Sequence, residues 1–218
     1  LGSDSVTLNG MPSGNAGIGD SAAGSQNTMI TISDGQTLTL NTTNAQEYGM
    51  IQNTIIYSDG ALNGTVILNH SGNGFGAAIG TNHSGGNKVT INANEISINS
   101  AGAFGLYATN PVDKINLTAN KISINGGTSV YSATGQVNVK AKDSLIIEST
   151  DKCILAAGNG EINVGSVDDD NKADIVINGN VEYLTTGIIN VELETEQSQL
   201  NGVVKHYSEG ETTYTGGT

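Results

Sequence analysis

Val89-Thr-Ile-Asn-Ala-Asn-Glu-Ile-Ser-Ile-Asn99 and Ile115-Asn-Leu-Thr-Ala-Asn-Lys-Ile-Ser-Ile-Asn125 are two copies of one phrase, and their reading decides the fold. In each, aliphatic side chains alternate with Thr, Asn or Ser, the period of two that a half-buried strand needs. An Ala-Asn step breaks the alternation at the same place in both copies. Val137-Asn-Val-Lys-Ala-Lys-Asp-Ser-Leu-Ile-Ile147 follows the same course with one inserted residue. Further out, Val66-Ile-Leu68-Asn69 and Ile162-Asn-Val164 carry the same two aliphatics at i and i+2. The starts at Val66, Val89, Ile115, Val137 and Ile162 lie 23, 26, 22 and 25 residues apart.

Self-similarity at this period marks a solenoid, because one repeat cannot bury its apolar face until the next is stacked on it. Each coil is expected to run strand, Ala-Asn turn, strand, Gly-rich turn, third strand. The third strands are placed at Phe75–Ile79, Phe104–Ala108, Val130–Ala133 and Cys153–Ala157. Asn94 and Asn120 are assigned to tight corners in the left-handed conformation that Asn tolerates. Gly72, Gly102 and Gly126 are given the same role at the next corner. Stacking predicts inward columns Ile91/Leu117/Val139 and Ile98/Ile124/Ile147, with outward Thr, Asn, Ser and Lys forming a polar surface on which Asn116 counts as tolerant. An antiparallel sandwich also alternates strands with turns, but the repeated Ala-Asn corner at fixed phase favours parallel coils. The right-handed crossover rule sets the expected hand.

The ends are less regular. Residues 1–29, rich in Gly, Ser and Asn, are read as an N-terminal cap or arm. Residues 30–207 are read as the solenoid of about eight coils of 22–26 residues. The strands Ile30–Ser33, Leu38–Asn41 and Thr54–Ser58 open it. Ile175–Ile177, Ile188–Leu193, Val203–Tyr207 and Thr212–Thr215 continue it at looser spacing. Residues 208–218 are read as a tail at a truncation end, since a solenoid needs protected ends.

Composition agrees with this architecture. The 218 residues include 30 Gly, 26 Asn, 2 Pro and no Arg or Trp, and only 13% are charged. A helix bundle or coiled coil needs far more Ala, Glu, Lys and Arg. A net charge of −13 makes nucleic acid or an anionic membrane surface a poor partner. No apolar run of membrane-spanning length and no signal-peptide pattern is present in the sequence. The single Cys153 rules out an internal disulfide.

The coils Val89–Gly135, with Val137–Ile147, resemble the passenger regions of Gram-negative autotransporters and the repeats of filamentous-haemagglutinin-type exoproteins. Ser198-Gln-Leu-Asn-Gly-Val-Val204 is similar to a turn-and-strand segment common late in such passengers. The resemblance covers residues 30–207 and implies a right-handed parallel β-helix of the pectin-lyase-like kind. It also implies secretion or surface display, adhesion to host cells, matrix or glycans, and self-association between cells. Membrane attachment would come only through a C-terminal β-barrel that this sequence lacks. A carbohydrate-active enzyme and a structural stalk are the alternatives.

Few residues suggest chemistry. Asp168, Asp169, Asp170 and Asp174 form an acidic loop that could take Ca²⁺ through oxygen ligands, although it lacks the spacing of an EF-hand. No other cofactor is implied. Glu95 and Asp113 are the one carboxylate pair that adjacent coils could bring together for glycoside hydrolysis. The segments that mark polyuronide hydrolases of this shape are missing, so catalysis is not expected. His70 and His83 recur in Asn-His-Ser-Gly turns but belong to separate corners, too far apart for one metal ion. Cys153 is expected inward, alternating with Leu155. Phe75 and Phe104 are read as core stacking, and Tyr107 and Tyr131 as candidates for stacking on sugars.

Overall fold

The period-two pattern is realised as strands throughout. A computed structural model describes residues 5–9, 18–19, 28–42, 50–58, 61–71, 76–81, 86–184, 186–208 and 211–216. The strands in chain order are β1 (Val6–Asn9), β2 (Thr28–Ile32), β3 (Thr37–Thr42), β4 (Thr54–Ser58), β5 (Thr65–His70), β6 (Ala77–Thr81), β7 (Lys88–Ala108), β8 (Lys114–Ser132), β9 (Gln136–Ala156), β10 (Glu161–Ser166), β11 (Asp174–Leu184), β12 (Ile188–Val191), β13 (Gln199–Asn201), β14 (Val203–Ser208) and β15 (Glu211–Gly216). Every pairing among them is parallel except that of β14 with β15. The chain is therefore an all-β parallel solenoid, and no helix occurs among the described residues.

Strands β7, β8 and β9 each bend through a whole turn, so the solenoid has three sides. The first carries β2, β4, the starts of β7, β8 and β9, then β10 and β12. The second carries β1, β3, β5, the middles of β7, β8 and β9, the start of β11 and then β13. The third carries β6, the ends of β7, β8, β9 and β11, and β14. Among the described residues, six turns have strands on all three sides, and two less complete layers precede them, bridged through Ile18 and Ile51. Complete turns are thus fewer than the eight or so read from the sequence.

Both expected columns exist. Ile91, Leu117 and Val139 are register partners, as are Ile98, Ile124 and Ile147, and all six are at most 1% exposed. A third column, Leu106/Val130/Ile154/Val181, completes the core. The C-terminal end of this core opens as an apolar cavity of about 500 Å³ lined by Ile177, Ile189, Val191, Leu200 and Val204.

Four details of the sequence reading change. Val66–Asn69 stacks on Ile96–Asn99 of the second side, not on Val89–Asn92. Both strands of a coil share the aliphatic-x-aliphatic-Asn pattern, so the pattern alone does not say which is which. Asn94 and Asn120 are not left-handed, since Asn53 (φ 44°) is the one non-Gly positive φ among the described residues. These corners turn instead with side-chain help: the Asn120 amide donates to Asn94 Oδ1 at 2.8 Å. Gly126 has no positive φ either. It sits at a close approach instead, where a Cβ would lie 3.1–3.2 Å from the Thr128 and Ala103 carbonyl oxygens, tighter than ordinary contact. Finally, Ile154 rather than Leu155 takes the inward place after the buried Cys153. Gly72 and Phe75 lie outside the described residues.

The outward asparagines are bonded rather than merely solvated. On the first side Asn190 donates to Asn163 at 2.7 Å, Asn163 to Asn138 at 2.9 Å, and Asn138 to Asn116 at 2.8 Å. On the second side Asn69 donates to Asn41 and Asn41 to Asn9, both at 2.8 Å. Parallel register places identical side chains roughly 4.8 Å apart, the separation at which one amide reaches the next. Asn116 is therefore not a tolerant surface position. Asn138→Ala removes two such bonds at a half-buried site and is expected to destabilise by about 1–2 kcal/mol. Lys140→Ala, two residues on and exposed, should stay within about 0.5 kcal/mol in the same denaturant titration.

A second polar row is buried at the corner that leads into the first side. The Asn53 N–H donates to Asn87 Oδ1 at 2.9 Å, and the Lys88 N–H to Asn53 Oδ1 at 3.0 Å. Asp113, only 2% exposed, accepts the N–H groups of Asn87 (2.5 Å), Thr109 (2.8 Å) and Asn110 (2.8 Å). Glycines take over this corner in later turns. A Cβ at Gly160 would fall 2.2 Å from the Ser132 carbonyl oxygen.

Candidate functional site

On the third side, Leu106, Val130 and Ile154 point inward, so the residues after them point out. These are Tyr107, Tyr131 and Leu155, consecutive register partners in one outward column. The Tyr107 and Tyr131 rings lie 5.1 Å apart and stack with an interplanar angle of 21°. Phe104 joins them from the preceding bend, 4.4 Å from Tyr107 and 5.4 Å from Tyr131. Tyr107 is 8% exposed and is largely a support, whereas Phe104 and Tyr131 are half-buried and offer surface. Burial pushes both tyrosine phenols above their ordinary range, with the neighbouring Tyr131 adding to the effect on Tyr107. The rings therefore stay neutral at physiological pH and present C–H and π surface with two hydroxyls. Such a surface has the chemistry to stack on apolar ring faces.

The two tyrosines expected as candidates are thus brought together. Phe104 and Leu155 were missed as members. Phe104 was placed in the core on hydrophobicity, yet its ring leans on outward tyrosines. Phase could have found Leu155, since a residue flanking an inward Ile154 must face out, whereas Phe104 sits two residues before the inward Leu106 and just after a register shift, so alternation gives no signal for it. The column ends in Glu182 and Lys205, an ion pair at 3.3 Å.

The acidic loop is organised differently. Asp168, Asp169 and Asp170 lie between β10 and β11, and Asp174 opens β11. The Asp170 N–H donates to Asp168 Oδ1 at 2.9 Å. That bond and the Asn171 amide hold the Asp168 carboxyl below the usual carboxylate range, with Lys142 contributing in a minor way. Asp169 pairs with Lys172 at 3.3 Å, and Lys172 reaches Glu194 at 3.0 Å. The Glu194 carboxylate leads the influences that raise the Lys172 ammonium above its usual range. Asp174 accepts from Thr195 Oγ1 at 2.8 Å. The four carboxylates therefore face different partners. Among the described residues, no three His, Cys, Asp or Glu side chains are grouped to hold a metal ion.

The remaining candidates sort by place. Glu95 opens the second side, in register with Lys121, whereas Asp113 is buried at the corner before the first side. The two are a strand's length apart and do not form a pair. Burial raises the Asp113 carboxyl against the lowering effect of its three N–H bonds. His70 is buried, with Nδ1 3.0 Å from Ser100 Oγ, and His83 lies outside the described residues. Cys153 is buried and donates to the Asn178 carbonyl oxygen at 3.0 Å. Burial, with the Glu148 charge, pushes its thiol up to about 12, so it is a small core residue rather than a nucleophile.

Comparison with known protein families, with curated proteins and with solved structures finds no match.

Proposed function

We propose that this chain is a non-catalytic passenger segment of the autotransporter or filamentous-haemagglutinin kind. It is displayed at a cell surface or secreted, and it adheres to host cells, matrix or glycans through the third side. The observation that carries the reading is the outward cluster of Phe104, Tyr107 and Tyr131. The chain has nine aromatic residues in all, and three of them meet where the aliphatic core has no need of them. Half-buried aromatics on a rigid sheet are the usual anchors of a binding surface. The stacked turns and asparagine ladders support the same reading, because packing and hydrogen bonds between turns hold this surface still.

A shallow two-ring platform suits weak contacts that gain strength by repetition. Bead-clustered chain is therefore expected to bind epithelial cells or an immobilised glycan, while single-copy chain binds weakly. Tyr131→Ser in the clustered form should lower binding by about tenfold, the scale of one truncated anchor, while the chain loses some stability with its ring contacts but stays folded at the assay temperature. Binding equal to that of the unaltered chain would remove the platform from the proposal. If the clustered chain binds nothing, the stalk reading takes its place.

A further inference from the structure

The corners between the first and second sides differ in length. Asn94 in β7 and Asn120 in β8 each turn the chain alone, and β9 turns on Lys142 and Asp143. The same corner runs through residues 61–64 ahead of β5, and through residues 167–173 between β10 and β11. Three low corners are thus flanked by two long loops, and the result is a notch along the edge of the solenoid. It encloses about 630 Å³. Leu62 and Asn63 stand at one end, Val167 and Asp168 at the other, with Asp34 beyond the first loop. Asn94, Asn120 and Lys142 make the floor, one residue per turn.

We propose that this notch binds a short uncharged oligosaccharide lying along the solenoid axis. The floor groups repeat at the strand spacing of roughly 4.8 Å, so a chain of like units meets like groups in succession. The Asn94–Asn120 bond uses one acceptor and one donor of the pair. Asn94 Nδ2 and Asn120 Oδ1 are left without a protein partner among the described residues. A sugar hydroxyl both donates and accepts, so one such group can satisfy either end. Lys142 offers a further donor, and Asp168, across from it, a carboxylate acceptor. Val167, 41% exposed, and the half-buried Leu62 supply apolar surface for the C–H faces of the outer rings. Lys142 is offset by Asp168, and the whole chain carries −13, so an acidic polysaccharide is repelled. The notch lies on a different edge from the aromatic platform, and this inference does not rest on adhesion through that platform.

The test is an array of neutral, sialylated, sulfated and uronic-acid glycans probed with the full chain. Titration calorimetry with the best neutral oligosaccharide on the array then follows. Neutral glycans are expected to dominate, and Asn94→Ala with Asn120→Ala should weaken binding at least tenfold. Asn116→Ala with Asn138→Ala breaks a comparable ladder outside the notch and should leave affinity unchanged, which separates contact from stability. Val167→Trp, which fills one end without touching a ladder, should also abolish binding. Tyr131→Ser should have no effect on it. Binding of acidic glycans only, no binding to any neutral glycan, or unaltered affinity in both notch variants would overturn the proposal. Clustered chain that binds cells but no array glycan would sink this inference and leave the adhesive reading standing. Glycan binding that the notch variants lose and Tyr131→Ser leaves intact, with no binding of the clustered chain to cells, would do the reverse.

Discussion

Asp113→Ala is expected to be among the most damaging single substitutions in this chain, at about 3–5 kcal/mol. Its carboxylate accepts three backbone N–H groups, from Asn87, Thr109 and Asn110, at a site only 2% exposed. Each buried donor left without an acceptor costs about 1–3 kcal/mol, less where water can enter. The damage also spreads between turns, because the Asn87 bond ties one layer to the next. Asp113→Asn keeps one carbonyl oxygen and should lose less. The pH dependence follows from burial, which raises this carboxyl despite its three donors. A group that holds its proton more tightly when folded stabilises the fold most below the ordinary carboxylate range, and this contribution falls as pH rises. The stability of the unaltered chain relative to Asp113→Asn should therefore improve as pH is lowered from 7 toward 4. A difference that moves the other way in urea titrations would show that the N–H bonds outweigh burial.

Leu117→Ala should cost about 2–5 kcal/mol, the range for a large aliphatic removed from a tightly packed core. Leu117 is 1% exposed, between Ile91 above and Val139 below. In a stack of this kind, a void in one turn is also a void in its two interfaces. The neighbouring turns are held by register on both sides and cannot close on it without breaking their own pairings. The denaturation midpoint should fall well below that of Asn138→Ala, which removes two hydrogen bonds but leaves no cavity. Equal losses would mean that Leu117 does not fill a tightly packed interior.

How much of this was legible beforehand depends on which physical rule carried each residue. Alternation with period two, repeated at a nearly constant interval, determines by itself that Ile91, Leu117 and Val139 face a common core. Strands have only two faces, and stacked repeats must bury one of them. The same rule placed Tyr107 and Tyr131 in one column. It failed where two strands of a coil look alike, so Val66–Asn69 was assigned to the wrong side. It failed again at the bends, where phase is reset and Leu155 and Phe104 changed face.

Composition and pattern alone therefore determined a parallel all-β solenoid with an aliphatic interior and a polar exterior. Only the tertiary structure decided what the polar residues do. Asn94 was assigned by its tolerance of a left-handed turn, but it holds its corner by a side-chain bond to the next turn. Asn116 seemed free because it faces out, yet it ends a ladder. Asp113 looked like half of a catalytic pair and is instead a buried acceptor for its own backbone. The reason is common to all three. A hydrophobic residue reveals its place by periodicity, because burial needs only the right face. A hydrogen bond needs a particular partner at a particular distance, and here that partner is often 22–35 residues away in the chain, brought near by stacking alone.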